Sequence, residues 1–366
     1  LLMSELHHFY RLLSIQGIGP KKAVSLLSKF GSFKSIFSAS PHDITNIKGI
    51  SPKDVDSLLA PEDLALISGQ KKLVEKYNVN VSHYLSDDYP EELKNTYDAP
   101  VGLFLRGNTE LLHQDNYVAI VGTRNPSTYG KLVTENIVTA LCNAGFGIIS
   151  GMAKGIDGLA HSIALENNAP TIGVLGNGVD RIYPKDNAKI FEQMIENNLL
   201  LSEFMMGMHP DPKNFPKRNR IISALSKAVV VIEAGEKSGA LITAYYALDQ
   251  GKEVMAVPGS IFSKNSNGPH FLIKQGAKLV QSVDDILEEI SGHIGNTTAN
   301  QQTLVLSLSE PDQKIYNILS LEPVHIDEIA HTLETSTFSL MPNLLQLEMR
   351  GHISQLPGKY FIRRNP

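Results

Sequence analysis

Four cations stand within eight positions at Lys213, Lys217, Arg218 and Arg220, set around Phe215, and an apolar run, Ala228–Ile232, follows. The whole chain carries a formal net charge of −5, so this cluster reads as a focused anion site rather than part of a diffuse basic surface. Ammonium and guanidinium groups hold phosphate, and an aromatic face takes a flat base. The combination fits a nucleotide or a single strand of nucleic acid. The stretch falls near a helix start, where cations are disfavoured unless an anion is bound, which weighs against a merely solvated face. Phe215 has two readings, a stacking platform or a core anchor ahead of Ile221 and Ile222.

Small residues at strand ends extend this chemistry. Gly122-Thr123-Arg124 follows the buried run Val118–Val121, and Ser150-Gly151-Met152-Ala153-Lys154-Gly155-Ile156-Asp157 follows Ile148-Ile149. Gly122, Gly151 and Gly155 let a phosphate approach the backbone, and the helix starts that follow present free N–H donors. Arg124 is placed for a bidentate phosphate contact. Ser238 and Gly239 open another such start in Ser238–Thr243, and Asn219 sits inside the cationic stretch. Any one glycine turn is weak evidence, but several on one sheet edge support one another.

Other chemistries find little support. No Gly-x-x-x-x-Gly-Lys-Ser/Thr occurs, and no Gly-x-Gly-x-x-Gly follows the first strand, which weakens ATP hydrolysis and hydride transfer. His161 and His209 read as structural or hydrogen-bonding residues, and Asp157 as a cap that orders its loop. Glu233, at a strand end, could meet a ribose or tie down the Gly235 turn. No His, Cys, Asp or Glu spacing predicts a metal, and no cofactor is expected. Cys142 is the single cysteine, so no intrachain disulfide forms. It reads as a small core residue in the helix 132–144, and a cytoplasmic setting is the default. No apolar run approaches the roughly 18–20 residues of a membrane span, and Leu1–Glu5 lacks the regions of a secretion signal.

The elements that must position these residues fall into three segments. Residues 1–65 carry Gly17-Ile18-Gly19-Pro20-Lys21-Lys22 and Gly49-Ile50-Ser51-Pro52-Lys53, each ahead of an apolar helical pattern. Both resemble the helix-hairpin-helix motif. Seven basic against six acidic residues here leave auxiliary DNA contact and plain helical packing equally open. Residues 66–292 alternate strands and helices, predicting a Rossmann-like doubly wound α/β domain with a parallel sheet, preceded by a piece containing the strand Val101–Leu105. Residues 293–303, rich in Gly, Thr, Asn and Gln, read as a linker. Residues 304–366 show three helical patterns and two short strands about Pro357-Gly358, the order of a winged helix.

In order along the chain, Val121–Arg124, Ser150–Asp157, Phe215–Ile222, Ser238–Ala244, Gly268–Ile273 and Gly276-Ala277 together resemble the DNA-processing protein A (DprA/Smf) family. The resemblance spans the middle domain, and the flanks resemble that family's sterile-alpha-motif-like or helix-hairpin-helix domain and its winged helix. It implies a non-enzymatic single-stranded DNA-binding protein of natural transformation, which protects incoming strands and loads a RecA-type recombinase. By the same resemblance, Arg124 and residues 213–220 line the DNA groove, Ser150, Gly151 and Gly155 lie at the phosphates, and a homodimer forms around His270, Leu272 and Ile273. The alternative is a Rossmann-like nucleotide hydrolase resembling the lysine-decarboxylase-like phosphoribohydrolases, with Glu233 near the sugar. Against it, Glu236–Ala240 stands where those enzymes carry Pro-Gly-Gly-x-Gly-Thr. From residue 304 onward five basic residues face seven acidic ones, which favours a protein-interaction role over duplex recognition for the winged helix.

Overall fold

The computed structural model describes residues 2–291, 310–320, 322–349 and 352–363. The linker expected at 293–303 lies outside the described residues, as do Arg350 and Arg364 of the winged-helix charge count.

Helices come first: α1 (Leu2–Ser14), α2 (Pro20–Phe30), α3 (Phe33–Ser38), α4 (Pro41–Thr45), α5 (Pro52–Leu59) and α6 (Leu64–Lys76). Their starts follow local chemistry. Ser32, Ser40, Ser51 and Asp63 each accept a backbone N–H from the first turn, satisfying donors that the helix leaves open. Then come β1 (Asn80–His83), α7 (Glu91–Lys94), β2 (Gly102–Gly107), β3 (Tyr117–Val121), α8 (Thr128–Asn143), β4 (Gly147–Ser150), α9 (Ile156–Glu166), β5 (Thr171–Val174), α10 (Ala188–Asn197), β6 (Leu199–Ser202), α11 (Asn214–Ala224), β7 (Ala228–Val231), α12 (Gly239–Asp249), β8 (Glu253–Ala256), α13 (Asn267–Lys274), β9 (Lys278–Leu279) and α14 (Val283–Ser291).

These strands make one nine-stranded sheet in the order β1-β2-β6-β5-β4-β3-β7-β8-β9. β3 to β9 run parallel, while β1 and β2 are antiparallel additions at one edge. Strands buried on both faces read as continuous apolar runs, as Tyr117–Val121 and Ala228–Val231 do. On one face Ala119, Val121, Ile149, Val229, Val231 and Ala256 pack with residues of α11, α12 and α13. On the other, Phe104 and Leu200 pack with α10 and the N-terminal helices. Phe9 and Tyr10 of α1 lie 6.2 and 6.4 Å from the Phe104 ring, centroid to centroid. Gln70 of α6 exchanges two 3.0 Å hydrogen bonds with the Met206 backbone. The helical layer therefore extends to Lys76 and shares a continuous core with the sheet.

The C-terminal unit contains α15 (Glu310–Ile318), β10 (Val324–His325), α16 (Ile326–Thr332), α17 (Thr337–Met349), β11 (Ile353–Leu356) and β12 (Tyr360–Arg363). Its three strands pair antiparallel in the order β10-β12-β11. Ile315, Leu319, Ile329, Leu344, Leu347 and Phe361 form its own core, giving the winged helix expected from the sequence.

Candidate nucleic-acid interface

At β3 the sheet order reverses. The chain proceeds from β3 through β4 and β5 to β6 on one side, then returns to lay β7 on the other. Loops leaving the carboxyl ends of β3 and β7 must diverge, and that divergence opens a crevice. A cleft of about 660 Å³ lies there, lined by Gly122, Thr123 and Arg124 after β3, Ala153 and Asp157 after β4, and Lys237, Ser238 and Gly239 after β7. Helix α11 contributes Phe215, Arg218 and Asn219 to its wall. An adjoining nook of about 220 Å³ reaches Gly151, Met152 and Gly176 and shares Arg124, Tyr183, Phe215 and Arg218 with the cleft.

Two glycines are required by close approach. A side chain at Gly151 would collide with the Arg218 guanidinium. Gly155 has φ +88°, and a side chain there would overlap the Thr123–Arg124 backbone. That contact places the loop after β3 over the start of α9, where Ile156 N donates to Thr123 O at 3.2 Å.

Arg218 supplies the fixed charge of the floor. It is only 4% exposed, Nη1 donates to Val174 O at 2.6 Å, and Nε has no partner among the described residues. Burial pulls its pKa down to about 10, Asp157 works in the opposite direction, and the Arg124 charge adds to the lowering. It therefore remains cationic at neutral pH. Asp157 is buried behind it. Burial raises the carboxyl pKa, while the Arg218 charge, the Ala153 and Gly151 backbone N–H groups and the nearby Ser150 side chain oppose the rise. Gly151 N lies 3.2 Å from Asp157 Oδ2, so this acid orders the loop.

The cationic stretch divides by helical phase. Residues 218 and 220 are about 200° apart on a helix. Arg218 faces the cleft, whereas Arg220, 2% exposed, points behind α11. There its Nη2 donates to Glu203 at 2.6 Å and its Nε to Asp98 at 2.9 Å. The structure does not bring Arg220 to the cleft, because these two carboxylates take up its charge. Lys213 and Lys217 are exposed and lie off the cleft lining. Asn219 Nδ2 donates to Gly239 O at 3.1 Å, joining α11 to the start of α12. Ser150 is fully buried, its hydroxyl donating to Ile120 O at 2.6 Å, and it meets the cleft only through its neighbours.

Phe215 lies against Gly176, where any side chain would strike its ring. It stacks on Tyr183 with centroids 5.5 Å apart and planes at 28°, and Arg124 Cζ stands 6.0 Å from its ring centroid. One reading of Phe215 as anchor and the other as platform therefore meet in one residue, with Tyr183 continuing the aromatic surface outward. Tyr183, Lys237 and Asn265 line the cleft without having been singled out in the sequence. The only signal for Tyr183 is an aromatic ahead of Pro184 in a loop.

The two helix starts at the cleft differ in how their N–H groups are used. Neither α11 nor α12 has an acidic residue in its first turn. At α12 the Ser238 hydroxyl accepts Ala240 N at 3.3 Å and the Ser238 carbonyl accepts Leu241 N at 3.1 Å, while at α11 Asp211 accepts Lys213 N and Asn214 N, each at 2.9 Å. By contrast, Glu233 is buried, with Oε2 3.4 Å from Asn265 Nδ2, and is absent from the cleft lining. His161 is fully enclosed, with Nδ1 2.7 Å from Thr171 Oγ1. Burial drops its pKa to about 3, which keeps it neutral. His209 is exposed and away from the cleft. Among the described residues, no group of three or more His, Cys, Asp and Glu could hold a metal, and no helix is long and apolar enough to cross a membrane.

Elsewhere, His270 Nε2 sits 3.0 Å from Gly259 O, Leu272 is buried in the sheet core, and Ile273 packs against that core. In the first hairpin motif Lys22 Nζ lies 2.8 Å from both oxygens of Asp54, and Lys21 bonds the Tyr97 hydroxyl. Those two lysines are engaged within the protein, while Lys29, Lys34, Lys48 and Lys53 stay exposed.

A family model described as DNA recombination-mediator protein A matches residues 80–291, the whole of the sheet from β1 onward. The chain belongs to this family. A SAM-like helix-hairpin-helix tandem model matches residues 9–60, and a DprA winged helix domain model matches residues 299–359. The DNA processing protein DprA of Bacillus subtilis is 46% identical over 212 residues, 58% of this chain and 71% of that protein. Protein Smf of Synechocystis is 32% identical with 99% of each chain covered. The X-ray structure of DNA processing protein A from Streptococcus pneumoniae aligns with TM-score 0.69 at 37% identity, covering 78% of this chain and 97% of that one. The Helicobacter pylori family structure aligns with TM-score 0.53 at 30% identity over 58% of this chain and 96% of that one, and concerns the single-stranded DNA binding mode of that protein.

Proposed function

We propose that the cleft at the β3/β7 switch point binds single-stranded DNA, as a binding site rather than a catalytic one. The observation that carries this reading is the convergence on one open cleft of Arg124, Arg218, the start of α12 and the Phe215–Tyr183 stack. Cations and helix starts hold successive phosphates, and aromatic faces take bases without regard to sequence. Lys213 and Lys217 add a screened attraction at the rim. The single-stranded DNA binding named for the Helicobacter pylori relative supports the same reading. The hydrolase alternative wants a carboxylate beside the sugar, whereas Glu233 is buried outside the cleft lining and bonded to Asn265 of the cleft wall.

The role proposed for this chain is the handling of single strands during natural transformation and recombination, protecting them and loading a RecA-type recombinase. A cytoplasmic homodimer fits it, with α13 around the half-buried His270 and Ile273 as the contact, Leu272 supporting it from the core. The winged helix is assigned to protein interaction, since α17 carries no Lys or Arg and exposes Met341 and Leu345. Titrating labelled oligo-dT against the full chain over a salt series tests the binding. Affinity should fall steeply with salt, and Arg124→Ala should flatten that dependence. A flat salt response from the wild type would refute it.

A further inference from the structure

Ile261 and Phe262 are 78% and 92% exposed. Single exposed apolar residues are ordinary, but two adjacent large ones at a loop tip are not. The loop that carries them is pinned. Ser263 N donates to Ser260 O at 3.0 Å, Phe262 N to Ser260 Oγ at 3.3 Å, and Ala234 N to Asn265 O at 2.7 Å. Asn265 is itself part of the cleft wall, and its Nδ2 lies 3.3 Å from Asn125 O, next to Arg124. Two residues, Ser263 and Lys264, separate Phe262 from Asn265, so three steps of chain hold the tip within about 10 Å of that wall. A stacked strand covers that distance in about three nucleotides.

We propose that the Ile261–Phe262 tip is a second base contact, on which bases of a strand leaving the cleft stack. This rests on the cleft holding single-stranded DNA. The size of the feature favours bases over a protein partner. A stable protein interface needs roughly 1,000 Å² with a wide apolar centre, whereas this tip is two side chains flanked by Ser260, Ser263 and Lys264. One aromatic ring suffices for one base. Exposed Lys264 beside the tip and Lys237 on the cleft wall supply charge for the connecting phosphates.

The test is fluorescence anisotropy with labelled oligo-dT of increasing length on the full chain, comparing wild type, Phe262→Ala and Arg124→Ala, with light scattering on each sample. Phe262 is so exposed that its removal leaves the fold intact. Wild type and Phe262→Ala should bind the shortest saturating oligonucleotide alike. On longer strands Phe262→Ala should lose about tenfold in affinity, and a strand carrying 5-iodouracil should photocrosslink to Phe262. Equal affinity at every length, or a changed assembly state with DNA affinity intact, overturns the proposal; the second outcome assigns the tip to another copy of the chain. If the wild type binds no oligonucleotide, or Arg124→Ala leaves the shortest one unaffected, the cleft reading itself fails, and the tip contact with it.

Discussion

Arg220 of α11 faces away from the cleft, its guanidinium held by Glu203 and Asp98. Consider Arg220→Met, which keeps the side chain's length and removes its charge. Glu203, whose side chain is 9% exposed, then loses its 2.6 Å partner. Breaking a buried pair on one side costs roughly 3–5 kcal/mol. Asp98, 40% exposed, adds only about 0–1 kcal/mol because water screens it. With methionine filling the space, the lower end applies, about 3 kcal/mol, or roughly 6–12 °C in melting temperature. The sign of the pH dependence follows from Glu203. Burial already raises its pKa, with Arg220 pulling it back down. Without Arg220 the pKa rises further, and the carboxyl takes up a proton as pH falls through it. A neutral acid is cheaper to bury, so the variant's deficit is largest near neutral pH and narrows on acidification. Calorimetry across pH reads this directly. Oligo-dT affinity in the folded variant should keep the wild-type salt slope, because no phosphate contact is lost. Arg124→Ala should do the reverse, moving stability by no more than about 0.5 kcal/mol while lowering the slope of log K against log salt by about 0.7. An Arg220→Met protein of unchanged stability with a slope reduced by about 0.7 would refute the assignment.

Three further outcomes follow from the geometry. Gly151→Ala places a methyl on the Arg218 guanidinium and should weaken oligo-dT binding about tenfold or more with the circular dichroism spectrum retained. Asp54, held at a pKa of about 2 by Lys22 and Ser51, lends stability that is present above its ordinary value of 3.8 and lost as pH falls through about 2. Asp54→Ala should cost about 1 kcal/mol through the lost capping box and flatten the acid limb of the stability profile, as urea titrations at pH 2–5 would register. Tyr183→Ala should lose roughly 1–3 kcal/mol of oligonucleotide binding and Tyr183→Phe almost none, since the ring rather than the hydroxyl does the stacking.

What the sequence could show depended on whether the information was local. Strands β3 to β8 were legible because both of their faces are buried, so each is an apolar run closed by small residues. Arg124, Gly151, Ser238 and Gly239 were legible for the same reason, since they follow strand ends or open helices. The sharing of a core between α1 and β2 was not legible, because Phe9 meets Phe104 across most of a hundred residues that carry no pattern linking them. Tyr183 was hidden because its loop has no periodicity, and only the fold carries it to Phe215.

The cationic stretch is the instructive intermediate. Composition alone makes Arg218 and Arg220 equivalent. Two helical positions turn them about 200° apart, and their fates are then decided by distant residues: a carbonyl at Val174 and a carboxylate at Asp157 for one, and Glu203 with Asp98 for the other. Yet the buried arginine serves the exposed site. The Arg220 carbonyl accepts Gln250 Nε2 at 3.0 Å, and Gln250 also takes the Ser223 hydroxyl at 2.7 Å, so the back of α11 is fastened while its front carries Arg218, Asn219 and Phe215. A helix held on one side by ion pairs presents its other side at fixed spacing, and fixed spacing is what successive phosphates of a single strand require.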